Sequence, residues 1–262
     1  MIPASAIPTT LPRAALVTGA ARRIGRAIAL ALADAGFAVA VHAREVTADA
    51  EATGAAVRAR GVAGLVLAAD LADEAQASAL LGRAAALGPI GVLVNNASAF
   101  ERDEWDTATR DTWERHIGTN LRAPFVLAQA FARALPQTAE GAVVNMVDQR
   151  VWNLTPHFVS YTVAKAGLWT LTQTLALALA PRIRVNAIGP GPTLPSARQS
   201  AAQFARQAAS LPLRHGADPD EIGRGVLAIL ALPSMTGQML ALDGGQHLNW
   251  HPAPHPHDGP EQ

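Results

Sequence analysis

The sequence predicts an α/β protein built as one doubly wound, seven-stranded parallel sheet with helices on both faces. Three observations predict it. From Ala14 onward, short β-branched runs alternate with longer Ala/Leu/Arg stretches of helical period. Most of the short runs are apolar throughout, as strands buried on both faces must be. The chain has 262 residues, 50% hydrophobic and 16% charged, and nothing in its middle reads as a linker, so one large core is expected.

The elements follow in order. Residues 1–13, MIPASAIPTTLPR, lack a basic start followed by an apolar run and do not read as a signal peptide; a flexible N-terminal tail is expected there, ahead of a domain spanning 14–248. The first strand, AALVT at 14–18, runs straight into TGAARRIGRAIALALADAG, so a Gly-containing turn opens the first helix, 24–35. A helix N-terminus offers unpaired N–H groups and partial positive charge, which suit a pyrophosphate. Gly19 and Gly25 supply the tight turn and the close helix–strand approach. The second strand, FAVAVHA at 37–43, ends with His42 and Arg44 where an NAD site needs an acid for the ribose hydroxyl. A cationic pair there, joined by Arg22, suits the 2′-phosphate of NADP; the alternative is a solvated Arg44.

A helix at 47–60, the strand GLVLA at 64–68 and a helix at 73–87 come next. The strand GVLVN at 91–95 leads into NNA at 95–97, and a helix at 107–134 carries Asn120. The strand GAVVNM at 141–146 leads to Asp148, and a helix at 159–180 carries Tyr161 and Lys165. After the strand IRVNAI at 183–188, residues 189–217 form a Pro/Gly-bounded insertion with one short amphipathic helix, at the sheet edge where doubly wound folds bind ligands; it reads as a substrate lid. A helix at 219–231 and the strand QMLAL at 238–242 complete the series. Residues 249–262 read as a Pro/His-rich solvated tail, because Pro252, Pro254 and Pro256 forbid the helix that would align His247, His251 and His255 on a metal.

Composition narrows the function classes. Zero formal net charge and a neutral pI leave no footprint for nucleic acid or an anionic membrane. Without cysteine there is no disulfide, thiolate nucleophile or Cys-ligated zinc. The apolar stretch 168–180 is shorter than the roughly 20 residues a bilayer needs, so a cytoplasmic protein is expected. Tyr161 and Lys165, four residues apart on one helix face, form a general acid: an ammonium beside a phenol is expected to lower its pKa from about 10. Asp148 lies thirteen residues before the Tyr, either as part of this chemistry or as a cap of the loop.

TGAARRIG, Asp70 in AADL, NNAS, Asn120, Tyr161/Lys165, RVNAIGPGP and LDGG together resemble the short-chain dehydrogenase/reductase superfamily over about residues 14–248. The resemblance implies a Rossmann-type sheet, an NADP-linked oxidoreductase and a homotetramer assembled through the long helices. It implies cofactor contacts from Gly19, Arg22, Arg23, Ile24 and Gly25, from His42 and Arg44, from Asp70 and Leu71 by the adenine, from Asn96 and Ala97, and from Lys165, Pro190 and Gly191. Tyr161 is then the proton donor, Lys165 holds the nicotinamide ribose, and Asn120 holds a water of the proton relay.

Two departures from the general pattern, Arg23 for Gly and Asp148 for Ser, match the pteridine reductase branch, as do NNAS followed closely by Phe and NMVD before YT-x-x-K. In that branch the Arg of the turn reaches pterin and phosphate, and the ring lies between Phe and nicotinamide. Carried over, substrate contacts come from Arg23, Ser98, Phe100, Asp148, Tyr161 and Pro190. The physical case agrees. A ketone reductase must stabilise an oxyanion, which a carboxylate repels, whereas a C=N bond needs a proton on nitrogen that an Asp–Tyr pair can relay. The expected activity is NADPH-dependent reduction of a dihydropterin, such as dihydromonapterin, dihydrobiopterin or dihydrofolate. The alternatives are a carbonyl reductase of 3-oxoacyl thioesters and a non-catalytic dinucleotide-binding sensor. Gln149, Arg150 and Trp152 replace the small or apolar residues usual after the Asp, and Arg150 can pair with Asp148 or bind an anionic substituent.

Overall fold

The structure is a computed structural model and describes residues 3–196 and 198–248. Strands β1 (Ala14–Val17), β2 (Ala38–Ala43), β3 (Gly64–Ala68), β4 (Ile90–Asn95), β5 (Gly141–Met146), β6 (Ile183–Pro190) and β7 (Met239–Leu242) form one sheet in the order β3-β2-β1-β4-β5-β6-β7. Every pair is parallel. The order reverses between β1 and β4, so the loops leaving these strands diverge and open a crevice above the sheet.

The period-2 alternation of the strands assigns residues to the two faces. Val17, Val39, Val94 and Val144 point to one side, where α1 (Arg23–Asp34) and α8 (Pro219–Ala231) bury Ile28, Leu32, Val226 and Ile229. The two helices approach closely because Gly223 has no side chain: a Cβ there would lie 2.9 Å from the Ala31 methyl. Leu16, Leu93, Val143 and Val185 point to the other side. There α3 (Glu74–Ala84), α5 (Ala123–Ala134) and α6 (Val159–Leu179) supply Leu80, Phe131 and Leu175. The remaining helices are α2 (Ala48–Arg58), α4 (Arg110–Ile117) and, within the 189–217 insertion, α7 (Ala201–Ala209). No helix among the described residues is long and apolar enough to cross a membrane.

Two expectations are corrected. The helix expected at 107–134 is divided: α4 ends at Ile117, a π-helical turn spans Gly118–Arg122, and α5 follows. Pro124 has no N–H to return to the carbonyl of Asn120, so the regular ladder cannot pass this point and the helix widens. Residues 3–13 are also not a flexible tail. Ile7 and Leu11, four apart, are buried at 1% and 2% exposure beside the amino ends of the strands. Thr10 donates to Glu140 at 2.6 Å, and Arg13 lies 5.0 Å over the Phe37 ring. The polar and Pro-rich composition of this segment hides an apolar pair that has a socket. The tail residues 249–262, with His251 and His255, lie outside the described residues; His247 is bound to Asp243 at 2.7 Å. Among the described residues no cluster of three or more His, Cys, Asp or Glu could hold a metal.

Leu11→Ala is expected to destabilise the fold by about 2–5 kcal/mol, measured by urea denaturation. A change within about 0.5 kcal/mol, as at an exposed site, would restore the view of a free tail.

Candidate active site

Two adjoining cavities open above the carboxyl ends of the strands. The larger, about 990 Å³, follows the switch point and is lined by Gly19, Arg22, Arg23, Ile24, Gly25, His42, Arg44, Asp70, Leu71, Asn96, Ala97 and Ser98. The turn beneath it is tight. Gly19 sits at φ +62°, and a Cβ on Gly25 would lie 2.2 Å from the Gly19 carbonyl oxygen. Thr18 Oγ1 accepts from the Asn96 and Ala97 N–H groups at 2.9 and 3.0 Å. Asn96 Nδ2 donates back to the Thr18 and Gly19 carbonyls at 2.8 and 3.0 Å, which ties β1 to β4 at the mouth of the crevice.

The start of α1, like those of α5 and α6, lacks the side-chain cap that most other helix starts carry, and it is the one that borders the larger cavity. Thr47, Asp73, Thr109 and Asp218 cap α2, α3, α4 and α8 with their side chains, but Arg22 makes no side-chain cap on α1 and no acid follows in its first turn. The first N–H groups of α1 are therefore left to an outside acceptor, with Arg22 and Arg23 beside them, and an anion fits.

His42 does not form a cationic pair with Arg44. It is 2% exposed, its Nδ1 accepts from the Gly19 N–H at 3.2 Å, and its Nε2 donates to the Ala69 carbonyl at 3.0 Å. One nitrogen must accept, and burial lowers its pKa, so the ring is neutral and braces the turn. Arg22 and Arg44 stand exposed at this mouth, with Arg23 and Arg115 also on its lining.

The smaller cavity, about 190 Å³, is lined by Arg23, Phe100, Asp148, Tyr161, Pro190 and Gly191, and is roofed by the 189–217 insertion. Tyr161 Oη donates to Asp148 Oδ2 at 3.0 Å, while Asp148 Oδ1 accepts from the Arg150 N–H at 2.9 Å. Asp148 is thus a loop cap and a partner of the Tyr at once, one oxygen for each. Lys165 is buried, donates from Nζ to the Met146 carbonyl at 2.8 Å, and has its pKa lowered to about 8 by desolvation.

The expected lowering of the Tyr161 pKa is overturned. Burial, with the Asp148 carboxylate second, raises it well above 10. Lys165 faces the Tyr161 ring, 5.7 Å from its centroid, and its effect does not outweigh these. The phenol therefore keeps its proton at neutral pH.

Three other residues make contacts of their own around the two cavities. The Asn120 side chain is held on the backbone of Ala99, accepting from its N–H at 2.8 Å and donating to its carbonyl at 2.9 Å. Ser98 belongs to the larger cavity, with its hydroxyl donated to the Ala99 carbonyl at 3.1 Å. Arg23, at φ +55°, borders both cavities and donates to the Leu194 and Pro195 carbonyls at 3.3 and 3.0 Å, holding the lid. Phe100 lines the smaller cavity, stacked on Phe158 at 4.7 Å with 4° between the rings and edge-on to Tyr161 at 4.7 Å.

A support that sequence reasoning missed lies under Tyr161. The Glu101 N–H donates to His116 Nε2 at 3.1 Å, His116 Nδ1 donates to Ser160 Oγ at 2.6 Å, and Ser160 Oγ donates to the buried Asp103 carboxylate. Asp103 also accepts the Ser160 N–H at 3.2 Å and, through its carbonyl, the Phe158 N–H at 2.8 Å. Because Nε2 accepts, the neutral ring carries its proton on Nδ1, and burial lowers its pKa in agreement. This chain fixes the loop after Phe100 to the first turn of α6. No spacing rule in the sequence links residues 101, 103, 116 and 160.

Comparison with known proteins agrees with this geometry. Residues 13–205 match the family described as short chain dehydrogenase. The crystal structure of FolM alternative dihydrofolate reductase 1 from Brucella canis complexed with NADP is similar, with a TM-score of 0.89 and 46% identity, covering 95% of this chain and 98% of that one. The Brucella suis protein of the same name, also in complex with NADP, gives 0.88 and 48%, covering 91% and 96%. The 3-oxoacyl-acyl-carrier-protein reductase FabG of Staphylococcus aureus is 32% identical over 248 residues, covering 91% of this chain and 99% of the relative.

Ser160→Ala breaks the middle link and leaves a buried carboxylate and a ring N–H without their partner. It is expected to cost about 1–3 kcal/mol in chemical denaturation; unchanged stability would show that the chain carries no load.

Proposed function

The chain belongs to the short chain dehydrogenase family, and from that premise we propose that this oxidoreductase is an NADPH-dependent pteridine reductase, converting a dihydropterin to its tetrahydro form. The observation that carries the reading is the contact of Asp148 Oδ2 with Tyr161 Oη at 3.0 Å, an acid where an oxyanion-stabilising hydroxyl is otherwise expected. The Brucella proteins, at 46% and 48% identity, support both the substrate class and the cofactor through what they are named for and bind.

The α1 N-terminus, Arg22 and Arg44 hold the dinucleotide phosphates, Asp70 and Leu71 border the adenine, and Lys165 holds the nicotinamide ribose. Bound there, NADPH supplies a hydride to the carbon of a ring C=N bond. The chain supplies the proton. Asp148 takes one from water at the cavity mouth, Tyr161 Oη passes its own to the ring nitrogen, and the Asp148 proton restores the phenol. The pair ends as a phenol donating to a carboxylate, the arrangement in the structure. The raised Tyr161 pKa favours this restoration. Phe100 covers one face of the ring, and Pro190 borders it.

A homotetramer in the cytoplasm belongs to the same proposal; Trp113 of α4 and Val163 and Leu177 of α6 offer exposed apolar surface for pairing the long helices. The second reading, reduction of a 3-oxoacyl thioester, has the 32% identity to the Staphylococcus enzyme in its favour and the Asp148 carboxylate against it.

Purified protein with NADPH, offered dihydromonapterin, dihydrobiopterin, dihydrofolate and an acetoacetyl thioester in parallel, is expected to reduce the pterins. Turnover of the thioester alone would overturn the reading, and tight NADPH binding without turnover would point to a sensor. Asp148→Ser is expected to lose about 10²–10⁴-fold in pterin turnover while keeping NADPH affinity; unchanged turnover would leave Asp148 as a loop cap. The pH profile follows from Lys165. Its pKa is depressed to about 8, so the ammonium present below that value is lost as pH rises through it, and kcat/KM is expected to fall above about pH 8. A flat profile to pH 10 would remove the ammonium from the mechanism.

A further inference from the structure

Beside the Asp148–Tyr161 pair, the next two residues line the same cavity without being used by the chemistry above. Gln149 is 5% exposed, and its Oε1 accepts no hydrogen bond among the described residues. Arg150 is half-buried. Its guanidinium lies 4.9 Å over the Phe158 ring and donates to Thr155 Oγ1 at 3.3 Å, but its Nε is buried with no partner among the described residues. The neighbouring acid does not satisfy it, because Asp148 directs Oδ1 to the Arg150 main-chain N–H and Oδ2 to Tyr161. The Arg150 Nε and the Gln149 amide oxygen, each buried without a hydrogen-bond partner among the described residues, carry a penalty that a ligand in the cavity can relieve. The planar fork of Arg suits an electron-rich oxygen, and its contacts with the Phe158 ring and Thr155 hold it at the cavity.

We propose that Arg150, flanked by Gln149, is the substrate-selecting subsite of this cavity, binding an electron-rich oxygen of the molecule whose C=N bond faces Tyr161. Naming that molecule a dihydropterin rests on the pteridine reductase reading. The oxygen has two sources, the ring carbonyl or an oxygen on the ring substituent. Arg150 is a binding residue that donates no proton in the relay, and its charge acts on Tyr161 less than burial and Asp148 do, so its loss acts on substrate affinity ahead of turnover.

The test is steady-state kinetics of the wild type, Arg150→Met and Arg150→Lys with 6-methyl-7,8-dihydropterin, dihydrobiopterin and dihydrofolate, with NADPH affinity and the thermal midpoint measured on each. Met keeps the stem that packs on Phe158. Arg150→Met is expected to lose about 10–100-fold in kcat/KM, mostly through KM, with NADPH affinity unchanged and Arg150→Lys between the two. Equal loss on all three substrates assigns the ring carbonyl; loss that spares the 6-methyl compound assigns the substituent. An unchanged KM on all three, or a loss matched by an equal loss of NADPH affinity, overturns the proposal. Failure of the pteridine reading appears separately, in the wild type, as turnover of none of the three. The variants are then compared on the acetoacetyl thioester, whose carbonyl oxygens offer the same acceptor, and an unchanged KM there also overturns the subsite.

Discussion

The hydrogen-bonded clamp between Thr18 and Asn96 is the contact on which the rest of the site depends. Parallel strands diverge at the switch point, and a crevice there would be free to splay without a tie across it. Thr18 and Asn96 exchange two hydrogen bonds, and Gly19 and Ala97 add one each, so four cross between the end of β1 and the loop after β4. His42 ties β2 to the same turn by accepting from Gly19. The turn is thus held from two sides, and its glycines have no room for a side chain: Gly19 would meet Ala97, and Gly25 would meet Gly19 itself. Only with this turn fixed do the uncapped N–H groups of α1 face a defined volume.

Charge placement in the second cavity follows a different logic. Burial disfavours ions, and it acts here on Lys165 and Tyr161 in opposite senses, lowering the first pKa and raising the second. The phenol stays protonated, which a proton donor requires. The division of Asp148 between a backbone N–H and the phenol makes the loop and the acid one structure: the conformation that caps residues 149–151 also aims Oδ2.

Most of the fold was legible in the chain. Buried parallel strands write long apolar runs, and α1 and α8 show their period plainly, whereas α6 is marked by its length and apolar content. What escaped were features that depend on partners far apart. Ile7 and Leu11 sit in a segment whose Ser, Thr and Pro content suggests solvent, and only the socket beside β4 and β5 makes them core. The break at Gly118–Arg122 needed two facts together, a proline at 124 and an amide at 120 bound to Ala99. At the site, Tyr161, Lys165 and Asp148 were readable from spacing because they lie on one helix and the strand beside it. The role of His42 was not, since residue type suggests a cation and only burial makes it neutral. The Asp103–Ser160–His116 chain has no local pattern at all.

The sheet also separates two kinds of constraint along its own strands. At their amino ends, Ile7, Leu11 and Pro12 seal the sheet, and the Pro12 carbonyl sits so near Gly91 that a Cβ there would be 2.2 Å away. At the carboxyl ends of the same strands stand Asn96 and Asp148. A strand of four to six residues spans roughly 13–20 Å, enough that substitutions at one end leave the geometry of the other intact. Selection can therefore adjust robustness at the base and substrate choice at the rim as nearly independent traits, and a laboratory lineage can do the same, stabilising the floor first to make room for riskier changes at residues 149 and 150.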